Sequence, residues 1–342
     1  MPFQIIRNDI TKMEVDVIVN AANSRLMMGG GVCGAIFSAA GADVLQEECN
    51  RIGHCEPGES VITKGHALPA KYIIHTVGPI WQGGRRREAE ILRNCYINSL
   101  ELARSKNLKS IAFPLISSGI YGYPKEKALE VAISAIGSYL LKHEMDVTLV
   151  VYDNLSFVIS KKTFDAVERF IDDHYVDEKL ELERSDLYLK IHQSESSDVL
   201  YSLNDIQRNT LDQEVEIPRR RRKLEDVLDE IEESFTEHLF RLIDERGMKD
   251  SDVYRRANMD RRLFSKIRNG RVNPSKTSCL SLALGLKLNL DETKDFLARA
   301  GYALSPSNKM DLVVRYFIEN NNHNIFEINS VLFGKNLPIL GS

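Results

Sequence analysis

"NAANSRLMMGGGVCGAIFSAAG", residues Asn20 to Gly41, sets three consecutive glycines directly before a helix that opens on a cysteine, Cys33. Glycine runs weaken packing and lose much chain entropy on folding, so they mark places where the backbone bends sharply or comes close to something. At a helix N-terminus, unpaired N–H groups and the positive end of the helix dipole converge on one spot, which suits an anion. A second loop of this kind is "FPLISSGIYGYP", Phe113 to Pro124, where Ser117, Ser118, Gly119 and Gly122 precede another helix. Successive small residues there can form a nest of N–H donors for phosphate oxygens, and two facing nests suit a pyrophosphate. Neither loop is followed by G-K-[ST], and neither matches G-x-G-x-x-G. Either loop alone reads equally well as a tight turn; the pair, each between strand and helix, argues for a ligand.

Around these loops the chain alternates between two periods. Asp16–Val19, Ser60–Thr63, Tyr72–Val77, Ser110–Phe113 and Val147–Tyr152 are short β-branched runs that read as strands. In "KALEVAISAIGSYLL", Ala128, Val131, Ala132, Ala135, Ile136 and Tyr139 recur at helical spacing. Such alternation predicts an α/β domain over residues 1–175, with a mostly parallel sheet covered by helices on both faces. Ligands of such sheets sit at the carboxyl ends of the strands, where both glycine loops fall.

The net charge of −4 gives no global attraction to nucleic acid or acidic membranes, so any basic surface has to be local. Five cysteines with no C-x-x-C pair give neither a disulfide framework nor a zinc site. His54, Cys55, Glu56 and Cys49 show no metal-ligand spacing, so no metal and no cofactor are expected. The N-terminus lacks a signal-peptide pattern, and no apolar run approaches the roughly 18 residues of a membrane span. The expectation is a cytoplasmic protein with no membrane partner.

"NDIT" (Asn8–Thr11), "VDVIVNAAN" (Val15–Asn23), "GGGVCGAIFSAAG" (Gly29–Gly41), "IIHTVGP" (Ile73–Pro79) and "SSGIYGYP" (Ser117–Pro124) together resemble the macro domain family, in its order and spacing. The resemblance covers about half the chain. It implies a three-layer α/β/α fold that binds ADP-ribose and, in many members, hydrolyses ADP-ribosylated protein or O-acetyl-ADP-ribose. By resemblance, the Asp9 carboxylate accepts from the adenine amino group and Ile10 lines the same end. The N–H groups of Gly30, Gly31 and Val32 hold one phosphate; those of Ser118, Gly119, Ile120 and Tyr121 hold the other. Asn23 orients the distal ribose, Tyr121 stacks against it, and Tyr152 covers the adenine. Asp9 as a turn cap and Tyr152 as core are the bland alternatives. Asn20 and His75 read as structural, Asn20 satisfying backbone groups and His75 facing the interior.

Cys33 departs from the family pattern, because hydrolytic relatives often carry an aspartate there, proposed to position the attacking water. A thiol orients water poorly and is mostly protonated at neutral pH unless its pKa falls. Three readings stay open: a passive small residue in a binding site, hydrolysis with water held by substrate phosphate and Asn23, or a cysteine nucleophile. The last is weakened because no histidine sits nearby in sequence to activate the thiol. A non-catalytic ADP-ribose sensor is the alternative to an enzyme.

From about Val176 the strand pattern decays into a polar stretch, 176–223, read as a partly helical linker that ends in the basic block Arg219 to Lys223. Residues 224–342 read as a separate, all-helical domain. Within it, 238–305 resembles the lambda-repressor-like helix-turn-helix family: a helix from Asp250 to Arg256, a turn, and a second helix from Arg261 to Arg268 ending at Gly270. In that family the second helix enters the major groove, which makes Arg261, Arg262, Ser265 and Lys266 the DNA-contact candidates, with Leu263, Phe264 and Ile267 facing the core. The acidic stretch Glu225–Glu233 would repel DNA, and a protein partner is the competing expectation.

Overall fold

The computed structural model describes residues 3–151, 166–168, 170–171 and 233–341. The first of these segments holds β1 (Phe3–Arg7), β2 (Val17–Ala22), α1 (Val32–Ala40), α2 (Ala42–Ile52), β3 (Ser60–Lys64), β4 (Tyr72–Val77), α3 (Glu88–Ser105), β5 (Ser110–Pro114), α4 (Lys125–Leu140) and β6 (Asp146–Val151). A one-turn 3-10 helix, Ile10–Lys12, precedes β2. The six strands lie in the order β1-β6-β5-β2-β4-β3, all neighbours parallel except the edge strand β3, which runs antiparallel to β4.

Period-two alternation sorts the central strands onto two cores. Val17 and Val19 of β2, Ile74 of β4, and Ile111 and Phe113 of β5 join Leu92, Tyr96, Leu129 and Ile136 from α3 and α4. Ile18, Ile73 and Ala112 point the other way, onto Ile36, Phe37, Leu45 and Cys49 of α1 and α2. The fold is therefore the expected three-layer α/β/α sandwich. Strand β1 was absent from the sequence reading, because "FQIIR" shows too short an alternation at the chain's start. Strand β2 runs on through Asn20 to Ala22, into what reads as loop by composition.

The second region is helical throughout its described residues: α5 (Phe235–Glu245), α6 (Asp250–Arg256), α7 (Arg261–Arg268), α8 (Lys276–Gly285), α9 (Leu290–Arg299), α10 (Lys309–Glu319) and α11 (Ile325–Gly334). The expected helix–turn–helix bounds, Asp250–Arg256 and Arg261–Arg268, match α6 and α7. Asp260 caps α7 by accepting from Arg262 N and Leu263 N. Phe264 and Ile267 are buried and Leu263 half-buried. The expected linker 176–223, the basic block Arg219–Lys223, Tyr152 and most of the acidic stretch Glu225–Glu233 lie outside the described residues. No helix among the described residues is long and apolar enough to cross a membrane.

The helical region, distinct in sequence, is packed onto the sheet through one continuous apolar core that runs from Phe3 and Ile133 to Phe317 and Phe326. Phe3 meets Phe326 edge-on, with ring centroids 5.7 Å apart. At the same point Asn258, in the left-handed region at φ 50 that asparagine tolerates, pairs with the edge strand. Its Oδ1 accepts from Phe3 N at 3.0 Å, and its Nδ2 donates to Phe3 O at 2.9 Å. An open sheet edge exposes unpaired backbone groups, and one amide side chain here closes part of it.

Asn258→Ala leaves Phe3 N–H and C=O buried without partners, an expected loss of about 2–3 kcal/mol. Urea unfolding read by far-ultraviolet dichroism should show that loss within a single transition. Two separable transitions in the wild type would mean that the shared core does not couple the regions.

Candidate functional site

Strands β2 and β5 are parallel neighbours, so the loops leaving their carboxyl ends emerge side by side. Gly31, at φ 62 and ψ −138, is the N-cap of α1 and turns the first loop into the helix. A Cβ on Gly34 would fall 2.6 Å from Gly29 O, so the glycine run folds back over the helix's first turn. A Cβ on Gly30 would come within 3.2 Å of Ile120 Cδ1, which puts the two loops face to face. The N–H groups of Gly30, Gly31, Gly119, Ile120 and Tyr121 donate to no backbone acceptor among the described residues. Val32 N–H is one of the orphan donors of a helix's first turn. Ser118 is the exception: its N–H leans on Leu115 O at 3.4 Å, and its Oγ donates there at 2.7 Å. Around the mouth Met27, Met28, Ile80 and Ile120 are exposed, Ile120 by 80%.

Asn23 is half-buried and builds its own loop. Its Oδ1 accepts from Arg25 N and Met27 N, both at 3.2 Å, while Nδ2 donates to Met27 O at 2.7 Å. A Cβ on Gly29 would lie 3.8 Å from Asn23 Nδ2 and 3.9 Å from Cys33 Sγ, so the two candidate catalytic side chains flank one glycine. The structure thus brings Asn23, Cys33 and Gly30–Val32 together. Tyr121 belongs with them: burial pushes its phenol up from the ordinary value, and the nearby Cys33 sulfur adds to this.

Asp9 caps the 3-10 turn. Its Oδ1 accepts from Thr11 Oγ1 at 2.7 Å and from Thr11 N at 3.0 Å, and these bonds hold its carboxyl below the usual range. Both bonds fall on one oxygen, which leaves Oδ2 outside them. Ile10 is buried in the α1/α2-side core, so its side chain lies beneath the surface there.

Cys33 is buried, 5% exposed, with Sγ 3.6 Å from Asn20 Nδ2 and 3.9 Å from Met27 O. Asn20 does not serve backbone groups, as its sequence context suggested. Its Nδ2 also donates to His75 Nδ1 at 3.1 Å, and Oδ1 has no partner. His75 Nε2, 2.9 Å from Thr63 Oγ1 and 3.9 Å from Cys49 Sγ, must then carry the proton. Burial pushes the His75 pKa down to about 4, so the imidazole is neutral across the physiological range. A histidine therefore stands one residue away from Cys33, a proximity the linear sequence conceals, yet it reaches the thiol only through the Asn20 amide. Cys49 and Cys55 are pushed up to about 11 by burial. No group of three or more His, Cys, Asp or Glu fit to hold a metal occurs among the described residues.

Comparison with known proteins covers this half of the chain. A family model described as Macro domain matches residues 19–132. A macro domain-containing protein of Methanosarcina mazei is 52% identical over 166 residues, 48% of this chain and 88% of the relative. The chain belongs to the macro domain family. An O-acetyl-ADP-ribose deacetylase of Klebsiella pneumoniae is 52% identical over 144 residues, 41% of this chain and 82% of that protein. The solved Oceanobacillus iheyensis macrodomain with ADP is 42% identical, covers 45% of this chain and 85% of that one, and has a TM-score of 0.43.

Within the macro domain, the buried His75 ties stability to pH. Its folded pKa lies below the ordinary value near 6.5, so between those two values the unfolded chain binds a proton that the folded one refuses. Stability is intact above pH 6.5 and is lost as pH falls toward 4, by about 3 kcal/mol in all. Urea midpoints measured from pH 7 down to 4.5 should show this slope, and His75→Gln should reduce it. An equal slope in the variant would assign the effect to other groups.

Proposed function

We propose that the macro domain binds ADP-ribose between the two glycine loops and hydrolyses O-acetyl-ADP-ribose or an ADP-ribosylated macromolecule. The observation that carries this reading is the facing pair of loops, with five backbone N–H groups unspent at the carboxyl ends of adjacent parallel strands. Such groups cradle a diphosphate without needing a cation or a cofactor. The name of the Klebsiella pneumoniae relative supports the deacetylase chemistry.

In this reading Asp9 Oδ2 accepts from the adenine amino group, and Ile10 supports that end from below. Gly30, Gly31 and Val32 hold one phosphate. Gly119, Ile120 and Tyr121 hold the other, and Ser118 joins them by releasing its long bond to Leu115. Asn23 keeps the Met27 carbonyl and the glycine run in place beside the distal ribose, where Tyr121 packs. Water held by a substrate phosphate and this loop adds to the acetyl carbonyl; the ester C–O bond breaks and the ribose oxygen takes the proton. Cys33 forms the floor. A nucleophilic role for Cys33 lacks support, because the described residues in hydrogen-bond reach of its sulfur are an amide and a carbonyl, neither of them a base.

A non-catalytic ADP-ribose sensor is the second reading, favoured by that same lack of an acid or base beside Cys33. For the helical region we propose contact with the macro domain and a protein partner rather than DNA. Tyr254 Oη donates to Glu144 at 2.8 Å. The first turn of α7, with Asp260 and Arg261, lines a small cavity shared with Glu144 and Asp146. A recognition helix presents that turn to base edges, and here acidic residues crowd it. Arg261, Arg262, Ser265 and Lys266 are all exposed.

The site assignment is tested by Gly119→Glu. A Cβ at Gly119 meets nothing within 4 Å, so the variant should fold, while its carboxylate fills the phosphate nest. ADP-ribose binding measured by calorimetry should disappear; unchanged affinity would refute the site. Turnover of O-acetyl-ADP-ribose then separates the roles at Asn23 and Cys33. Cys33→Ala should keep most of the activity and Asn23→Ala should lose at least about tenfold, near 1.4 kcal/mol of barrier. Loss of all turnover in Cys33→Ala, with inhibition by a thiol alkylator, would restore the nucleophile. Tight binding with no turnover in the wild type would leave the sensor.

A further inference from the structure

The second glycine loop has a bare tip. Ile120 is 80% exposed, and a Cβ at Gly119 or Gly122 would meet nothing within 4 Å. Within the loop, Gly122 N–H donates to Gly119 O at 2.9 Å and Tyr123 N–H to Ser117 O at 3.0 Å. From outside the loop, one hydrogen bond among the described residues reaches the backbone of Gly119–Tyr121: Trp81 N–H donates to Tyr121 O at 2.9 Å. The segment that carries Trp81 also backs the base of the loop, where a Cβ on Gly78 would fall 2.1 Å from Ser117 Oγ. What holds Trp81 therefore bears on where the unspent donors of this loop stand.

Trp81 lies in the segment "GPIWQGGRRRE", Gly78 to Glu88, between β4 and α3. Its indole is packed by the Tyr123 ring, with centroids 4.6 Å apart, and by the Lys127 ammonium at 5.2 Å. Gly84, at φ 81, approaches the indole so closely that a Cβ would fall 2.9 Å from the ring. Residues 82–87 are exposed, and their main chain hangs on one carboxylate. Glu88, the first residue of α3, is 2% exposed. Its Oε1 accepts from Gln82 N–H at 3.2 Å and Gly84 N–H at 3.1 Å, and its Oε2 accepts from Arg86 N–H at 2.5 Å. Burying a carboxylate is costly unless donors meet its oxygens, and bonds to a charged acceptor are roughly twice as strong as neutral ones. Glu88 thus folds the segment back onto Trp81, and Trp81 clips the tip of the glycine loop.

We propose that Glu88 is a positioning residue for the phosphate nest: acting through Trp81, it sets the donors of Gly119–Tyr121 at the separation from Gly30–Val32 that a diphosphate requires. This rests on the ADP-ribose reading above. Glu88 itself touches no ligand.

The test uses the full chain, with Glu88→Gln as the conservative variant. Glutamine keeps one acceptor oxygen but sets an amide donor against a backbone donor at the other position. Calorimetry should show ADP-ribose affinity lower by about tenfold, near the worth of one hydrogen bond, at unchanged stoichiometry. Unchanged stoichiometry shows that the loss is not a fraction of unfolded chain. Trp81 is the chain's single tryptophan, so acrylamide quenching of its emission reports on this segment alone. Quenching should rise in Glu88→Gln and fall again as ADP-ribose saturates the site. A purely structural Glu88 would lower the urea midpoint and leave affinity and quenching unmoved. Gly84→Ala, which displaces the indole without altering Glu88, should give the same loss of affinity. The double variant should lose no more than either alone, because both changes act through Trp81. Should Glu88→Gln fail to fold, Gly84→Ala decides by the same two readings. Wild-type affinity in the variants, wild-type quenching beside a lowered affinity, or losses that add in the double variant would each overturn the proposal and leave the ADP-ribose reading standing. Inorganic pyrophosphate is titrated in parallel. If it binds with an affinity that depends on Glu88 while ADP-ribose does not bind, the ADP-ribose reading falls and the positioning role stands. If neither binds the wild type, both fall.

Discussion

The site depends on backbone approaching backbone without side chains between. Two loops leave neighbouring parallel strands and must face each other with their N–H groups unspent. That requires a glycine where the Gly29 carbonyl lies 2.6 Å from a would-be Cβ at Gly34, and a turn at Gly31 with positive φ. The sheet supplies the rigidity. Val17 and Val19 are locked into one core and Ile18 into the other, so the strand ends cannot shift to relieve the crowding. An anion placed between the loops would take up donors that meet no backbone acceptor among the described residues.

Beneath the cradle lies a polar chain that fixes the floor: Cys33 Sγ to Asn20 Nδ2, Asn20 Nδ2 to His75 Nδ1, His75 Nε2 to Thr63 Oγ1. Asn20 spends both amide protons here and leaves its Oδ1 orphaned in a fully buried position. An aspartate at position 33 would present a charged acceptor to that amide, where the thiol presents a neutral one. In the proposed site the residue at position 33 bears on a substrate water, whereas the phosphate donors of Gly30–Val32 are backbone groups that do not depend on its side chain.

Most of this architecture was written in local pattern. The β-branched runs, the two glycine loops and the helical spacing of Ala128 to Tyr139 lead to a mostly parallel sheet covered on both faces, with both loops at strand ends; grouping Asn23, Cys33 and Gly119 in one site rested on the resemblance to the macro domain family. Three things were not written there. Strand β1 was hidden because five residues with two buried positions, Phe3 and Ile5, make too weak a period. The link from Cys33 to His75 was hidden because it joins β2, α1 and β4 through side chains 13 and 55 positions apart. The fold of the Trp81–Arg87 loop was hidden because it hangs on the buried Glu88 carboxylate, and burial of a carboxylate cannot be read from composition.

The helical region bears on the site through the far edge of the same sheet. Asn258 completes the Phe3 backbone, Phe326 packs on the Phe3 ring, and β1 pairs along its length with β6. Strand β6 in turn pairs with β5, whose carboxyl end opens into the second glycine loop. A hydrogen-bonded path of three strands therefore runs from Asn258, in the turn between α6 and α7, to the loop around Gly119. Whether a partner of the helical region is felt at the cleft depends on this path having two arrangements, because a rigid ladder transmits force but stores no alternative state. The short bond network at Asn258 and the half-engaged Ser118 N–H, 3.4 Å from Leu115 O, stand at its two ends. In the proposed site a phosphate would replace the Leu115 carbonyl as the acceptor of Ser118 N–H, which would give that end of the path its second arrangement. A ligand thus has differential contacts to offer at one end, which is what coupling between distant sites requires.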